Sequence, residues 1–157
     1  TLWGAEDSET VACDHGGQPG TIGGRLWGGN LSMLAHLVGT PYLPAVDGGL
    51  LYVEEIAEEP YAVERLFLQL HHAGILARQG AILLGDFDDC VPRNPARYPY
   101  AMGEVVETLR AIAPCPVLTG LPFGHVAGKL TLPFGLQALL SLGTGQYTLA
   151  WPGLGRR

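Results

Sequence analysis

His125 stands two residues after Phe123 in the turn Gly120-Leu121-Pro122-Phe123-Gly124-His125, between two segments of strand character. A rigid Pro/Gly backbone can aim an imidazole into a cleft, and an imidazole, whose charge changes near neutral pH, suits a general base. The plainer alternative is a turn histidine held by structural hydrogen bonds. Glu54 and Glu55 end the apolar run Leu50-Leu51-Tyr52-Val53. Side chains alternate along a strand, so one carboxylate shares the face of Leu50 and Tyr52 while the other points to the opposite face. A buried carboxylate is costly unless paired, and the partner that makes best sense is an imidazole, held in the right tautomer and stabilised once protonated. Two solvated acids in a strand-to-helix loop are the competing reading.

The string Gly24-Arg25-Leu26-Trp27-Gly28-Gly29-Asn30-Leu31 has the outline of a phosphate loop, but Asn and Leu stand where such a loop needs Lys and Ser/Thr. It can instead bring the backbone of Gly29 and the ring of Trp27 close to a ligand while Asn30 caps the next helix, which makes Trp27, Gly29 and Asn30 candidate substrate-binding residues. A tight turn packed by a tryptophan accounts for it equally well. Cys13, Asp14 and His15 could join Asp88, Asp89 and Cys90 in a metal site, yet none of the usual metal-ligand spacings is present. No metal is expected. His71 and His72 point about 100° apart on a helix and do not easily face one ion. The serines, Ser8, Ser32 and Ser141, sit in no nucleophile elbow. The chain therefore offers a base and an orienting acid without a convincing nucleophile.

The elements around these residues alternate between strands and helices. Asn30 caps a short helix with Leu31, Leu34, Leu37 and Val38 on its apolar side, stopped by Gly39. Leu50–Val53 reads as a buried strand, and Pro60 opens a helix whose stripe is Val63, Leu66, Phe67 and Leu70 and which Gly74 ends. Ala81–Phe87 is a second buried strand, followed by a Pro/Asn/Asp loop over 88–99. A third helix carries Met102, Val105, Val106, Leu109 and Ile112, and Val117–Thr119, Lys129–Leu132 and Gln146–Trp151 read as strands. Residues 1–29 read as irregular and glycine-rich, with 1–23 as a linker or insertion.

The length of 157 residues corresponds to one domain on the usual scale of roughly 100–200 residues. Only 15% of residues are charged, against about 25% in a typical soluble domain, so part of the surface is expected to be covered by another domain or subunit. A net charge of −6 without a basic cluster leaves no electrostatic footprint for nucleic acid or an anionic membrane. No apolar run is long enough to span a bilayer and no signal peptide is evident, so a cytoplasmic protein is expected. Three widely spaced cysteines suit a reducing compartment.

Five ordered blocks, Leu26-Trp27-Gly28-Gly29-Asn30-Leu31, Val53 through Tyr61, Glu64-Arg65, Leu121-Pro122-Phe123-Gly124-His125 and Lys129 through Pro133, together resemble the LD-carboxypeptidase family of serine peptidases, the muramoyltetrapeptide carboxypeptidases. The similarity runs from about residue 24 to the C-terminal strands. It implies a family of two domains, an N-terminal α/β domain that holds the catalytic serine and a C-terminal swivelling β/β/α domain that carries the glutamate and histidine. Residues 24–157 look like the second domain, with the nucleophile domain outside this chain. Carried over by motif, the triad residues here are Glu54 and His125, with Glu55 standing where the family often has Asp. The implied reaction is hydrolysis of the amide to a terminal D-Ala in murein tetrapeptides during cell-wall recycling, without metal or organic cofactor. The implied partners are the nucleophile domain, the murein peptide and a second copy in a homodimer. The microcin-immunity branch of the same family, which cleaves acyl-nucleotide antibiotics, and an isolated, inactive binding or dimerisation domain are the alternatives. A metal hydrolase on Cys13, His15 and Cys90 is a more distant one.

Overall fold

The computed structural model describes residues 6–13 and 18–153. Its elements are β1 (Glu6–Ala12), β2 (Gly20–Asn30), α1 (Leu31–Leu37), β3 (Gly49–Ile56), α2 (Pro60–His72), a short 3-10 turn, β4 (Gln79–Asp88), α3 (Met102–Ile112), β5 (Val117–Leu118), β6 (Gln137–Gly143) and β7 (Gln146–Pro152). The strands are ordered β1-β7-β6-β2-β3-β4-β5. Strands β2 to β5 are parallel neighbours, whereas β1, β7, β6 and the first half of β2 are antiparallel. The parallel strands advance in one direction, so right-handed crossovers place α1, α2 and α3 on the same face. The fold is α/β.

Strand β2 belongs to both halves. Gly20–Arg25 pairs antiparallel with β6, and Leu26–Asn30 pairs parallel with β3. At Gly28, with φ +146°, a β-carbon would lie 1.8 Å from the Tyr52 carbonyl oxygen, so only glycine lets β2 run this close to β3. Two cores result from the alternation along β3 and β4. Leu51, Val53, Ile82 and Leu84 face the helices, meeting Val63, Phe67, Val105 and Leu109. Leu50, Tyr52, Ala81 and Leu83 face the other way, meeting Leu140, Tyr147, Leu149 and Trp151 of the antiparallel strands. The layers are therefore antiparallel sheet, parallel sheet and helices, in the order β/β/α. Each fully buried Leu or Phe contributes about 1.5–3 kcal/mol, so both cores stabilise the parallel sheet between them.

The helices begin and end where their caps direct. The Asn30 side chain accepts from the Met33 amide, Pro60 opens α2, and Gly39 and Gly74 take positive φ values of 82° and 72° just past α1 and α2. Three expectations are corrected. Much of the segment 1–23 is extended rather than irregular: β1 pairs with β7 over its whole length, and Gly20 begins the pairing of β2 with β6. Strand β6 was not anticipated. Lys129–Leu132 is not a strand, because no strand among the described residues pairs with it. Its alternation still reports burial, since Leu130 and Leu132 pack against the second core while Lys129 and Thr131 are exposed.

Candidate active site

Glu54 and Glu55 lie at the carboxyl end of β3, where ligands of open α/β sheets usually bind, and the pleat sends them to different tasks. Glu55 points to the helix side. Its carboxylate accepts from Asn30 Nδ2 at 2.8 Å, from the Ser32 amide at 2.8 Å and from the Ile56 amide at 3.1 Å. Burial alone would raise its pKa, but the hydrogen bonds from Ser32, Asn30 and Ile56 outweigh it and hold the carboxyl below its ordinary value. Glu55 thus anchors the start of α1. Glu54 shares the face of Leu50 and Tyr52 and is 5% exposed.

His125 reaches Glu54 from the turn after β5. That turn is fixed to the strand ends by hydrogen bonds from the Leu121 amide to the Leu84 carbonyl at 3.1 Å and from the Asp86 amide to the Phe123 carbonyl at 2.8 Å. Phe123 packs edge-on against Tyr52, with centroids 4.8 Å apart. Gly124 has φ +126°, and a β-carbon there would sit 3.1 Å from Glu54 Cβ and 3.3 Å from Asp86 Cβ. The turn can therefore lie flat on both strand ends. His125 Nδ1 is 3.0 Å from Glu54 Oε2, and the side chains are 51% and 6% exposed respectively. A carboxylate only accepts, so this contact favours the tautomer of the neutral ring with its proton on Nδ1 and its lone pair on Nε2. An open cleft of about 330 Å³ adjoins the pair, lined also by Phe123, Lys129, Leu130, Thr131 and Leu132.

The other candidates fall elsewhere. Trp27 does not line this cleft: it is 1% exposed in the helix-side core, and its indole N–H donates to Gln79 Oε1 at 2.8 Å. Asn30 is opposite Glu54 in the β2/β3 register, but its side chain is taken up by the cap of α1 and by Glu55. Gly29 is opposite Val53 at the same strand end, and neither Gly29 nor Asn30 lines the cleft. Asp86, Lys129 and Thr131 are neighbours of the site that the sequence reading did not single out. The β4 bulge that turns Asp86 toward Gly124 leaves no sequence signature. His15 and Asp14 lie outside the described residues; among the described residues no group of three His, Cys, Asp or Glu is placed to hold a metal. Burial raises the Cys90 thiol, and that of Cys115 to about 11, so neither is a ready nucleophile.

A buried carboxylate on Nδ1 of a half-exposed imidazole, carried by a rigid glycine turn at the strand ends of an α/β sheet, is an arrangement that can orient a histidine for acid–base chemistry. The family follows from the comparisons. A family model for the LD-carboxypeptidase C-terminal domain matches residues 23–140, and the chain belongs to that family. A probable murein peptide carboxypeptidase of Bacillus subtilis is 37% identical over 123 residues, which is 78% of this chain and 38% of the relative. The microcin self-immunity protein of Escherichia coli is 32% identical over 75% of this chain and 34% of its own length. The crystal structure of a muramoyltetrapeptide carboxypeptidase from Oxalobacter formigenes superposes with a TM-score of 0.86 at 41% identity, covering 94% of this chain and 50% of that one. The chain thus spans half or less of the proteins it matches.

Proposed function

We propose that this chain supplies the glutamate and histidine of a Ser-Glu-His carboxypeptidase that hydrolyses the amide between the L-centre of a diamino acid and terminal D-Ala in murein tetrapeptides. The observation that carries the reading is the 3.0 Å contact between Glu54 and His125 Nδ1, which leaves Nε2 out of that contact in a ring that lines an open cleft. The serine comes from the family's N-terminal nucleophile domain, since Ser8, Ser32 and Ser141 do not line that cleft. Nε2 takes the serine hydroxyl proton as Oγ attacks the carbonyl carbon, and the imidazolium returns it to the departing amine of D-Ala. Water, deprotonated by Nε2, then cleaves the acyl-enzyme. Glu54 holds the ring and stabilises its charge in both steps. The route needs neither metal nor organic cofactor.

The names of the relatives support the murein substrate, and cell-wall recycling in the cytoplasm is the setting that fits it. Among the described residues no helix is long and apolar enough to cross a membrane. The low surface charge supports packing of one face on the nucleophile domain or on a second copy in a homodimer. The microcin-type reading is kept by the likeness to the self-immunity protein, although Trp27, being buried, offers no clamp for a nucleobase. The test is D-Ala release from a murein tetrapeptide by this chain joined to its nucleophile domain. Release that Glu54→Gln nearly abolishes is expected. No release, with cleavage of an aminoacyl sulfamoyl nucleoside instead, overturns the murein assignment, and no hydrolysis of either leaves the binding-domain reading.

A further inference from the structure

The cleft beside His125 is lined by the apolar residues Phe123, Leu130 and Leu132 and by the polar residues Thr131 and Lys129. Lys129 is the one Lys or Arg among the described lining residues. It is exposed, in a chain with only 9 basic against 15 acidic residues. Its direction is set by its neighbours. The Leu130 amide donates to the Pro122 carbonyl at 2.7 Å, tying this segment to the turn that carries His125. Leu130 and Leu132 are drawn into the core, so the alternating Lys129 and Thr131 face outward over the cleft. The four-carbon stem lets an ammonium settle on an anion without a fixed fork. A chain of net charge −6 repels anions in general, so an anionic group needs such a local cation to settle here.

We propose that Lys129 binds the free α-carboxylate of the terminal residue of the substrate, with Thr131 beside it and the small side chain of that residue against Phe123, Leu130 and Leu132. The subsite deepens the carboxypeptidase reading and rests on it, because it explains why cleavage is confined to a chain end: an internal residue has no carboxylate to offer. Lys129 does not move a proton. It sets specificity through binding.

The test uses two probes, N-acetyl-D-alanine and its uncharged amide, titrated into the chain while the amide resonances of residues 123–132 are followed by NMR. The acid is expected to shift them, and the amide to bind more weakly. Lys129→Gln is expected to weaken the acid by roughly three- to tenfold, the scale of one partly exposed ion pair, and Lys129→Arg to retain it. Equal affinity for acid and amide, undiminished binding by Lys129→Gln, or no shift with either probe each overturns the proposal. In the enzyme joined to its nucleophile domain, Lys129→Gln is expected to raise KM for the free-acid peptide with kcat little changed. Carboxylate binding without any D-Ala release would refute the catalytic reading and leave the subsite standing.

Discussion

Two adjacent glutamates, both buried, do different work because a strand turns each residue over relative to the last. Glu54→Gln is expected to lower kcat by about 10²–10⁴-fold with the fold intact, since it removes the support of an imidazolium that forms only during turnover. Glu55→Gln is expected to be mild in kcat but to cost about 1–3 kcal/mol in unfolding free energy, because it disturbs buried donors at the start of α1. The opposite ranking in steady-state kinetics and thermal melts would reverse the assignment. Glu55 also has a pH signature. Its folded-state pKa lies below the ordinary 4.5, so the stability it supplies is complete above that value and is lost as the pH falls below 4.5 toward the lowered one. Acid unfolding followed by circular dichroism is expected to lose part of its pH dependence in Glu55→Gln. His125→Ala is expected to cost less than about 1 kcal/mol, because the half-exposed ring leaves a path for water to Glu54.

At the level of elements, the turn that carries His125 depends on Gly124. Gly124→Ala brings a β-carbon onto Glu54 and Asp86 at a φ that side chains rarely adopt, and it is expected to cost about 1–3 kcal/mol and most of the activity. Trp27→Phe separates core from ligand roles: loss of the indole N–H orphans Gln79 Oε1, so melting should fall by about 1–3 kcal/mol while KM stays unchanged. A raised KM with unchanged melting would return Trp27 to the ligand. The helices and the buried parallel strands were legible because their signals are local: an asparagine cap at 30, a proline at 60, a glycine at 74 and continuous apolar runs in β3 and β4. The parity of Glu54 with Leu50 and Tyr52 was legible for the same reason. Strands β1, β2 and β6 were not. Their Gly, Ser, Asp and Glu residues carry little strand propensity, and the β1–β7 and β2–β6 pairings that define them join residues more than a hundred positions apart. The glycines after Trp27 resemble a ligand loop in sequence, but Gly28 serves the close approach of β2 to β3 and Trp27 itself is core.

At the scale of the molecule, β2 joins one sheet at each of its two ends, and this sets an order of assembly. Its second half pairs with β3, which follows within about twenty residues, whereas its first half waits for β6, and β1 waits for β7. Contacts between near neighbours close faster than those that span most of a chain. The pairings of the helix-covered parallel layer can therefore form early, while the antiparallel layer is complete only once β7 joins β6 and β1. The site is subject to the same clock, since Glu54 and His125 are 71 positions apart and the loop bearing the histidine rests its leucines on that late layer. The full surroundings of the Glu54–His125 pair are therefore completed late, when β6 and β7 close over the face of β3 that carries Leu50, Tyr52 and Glu54.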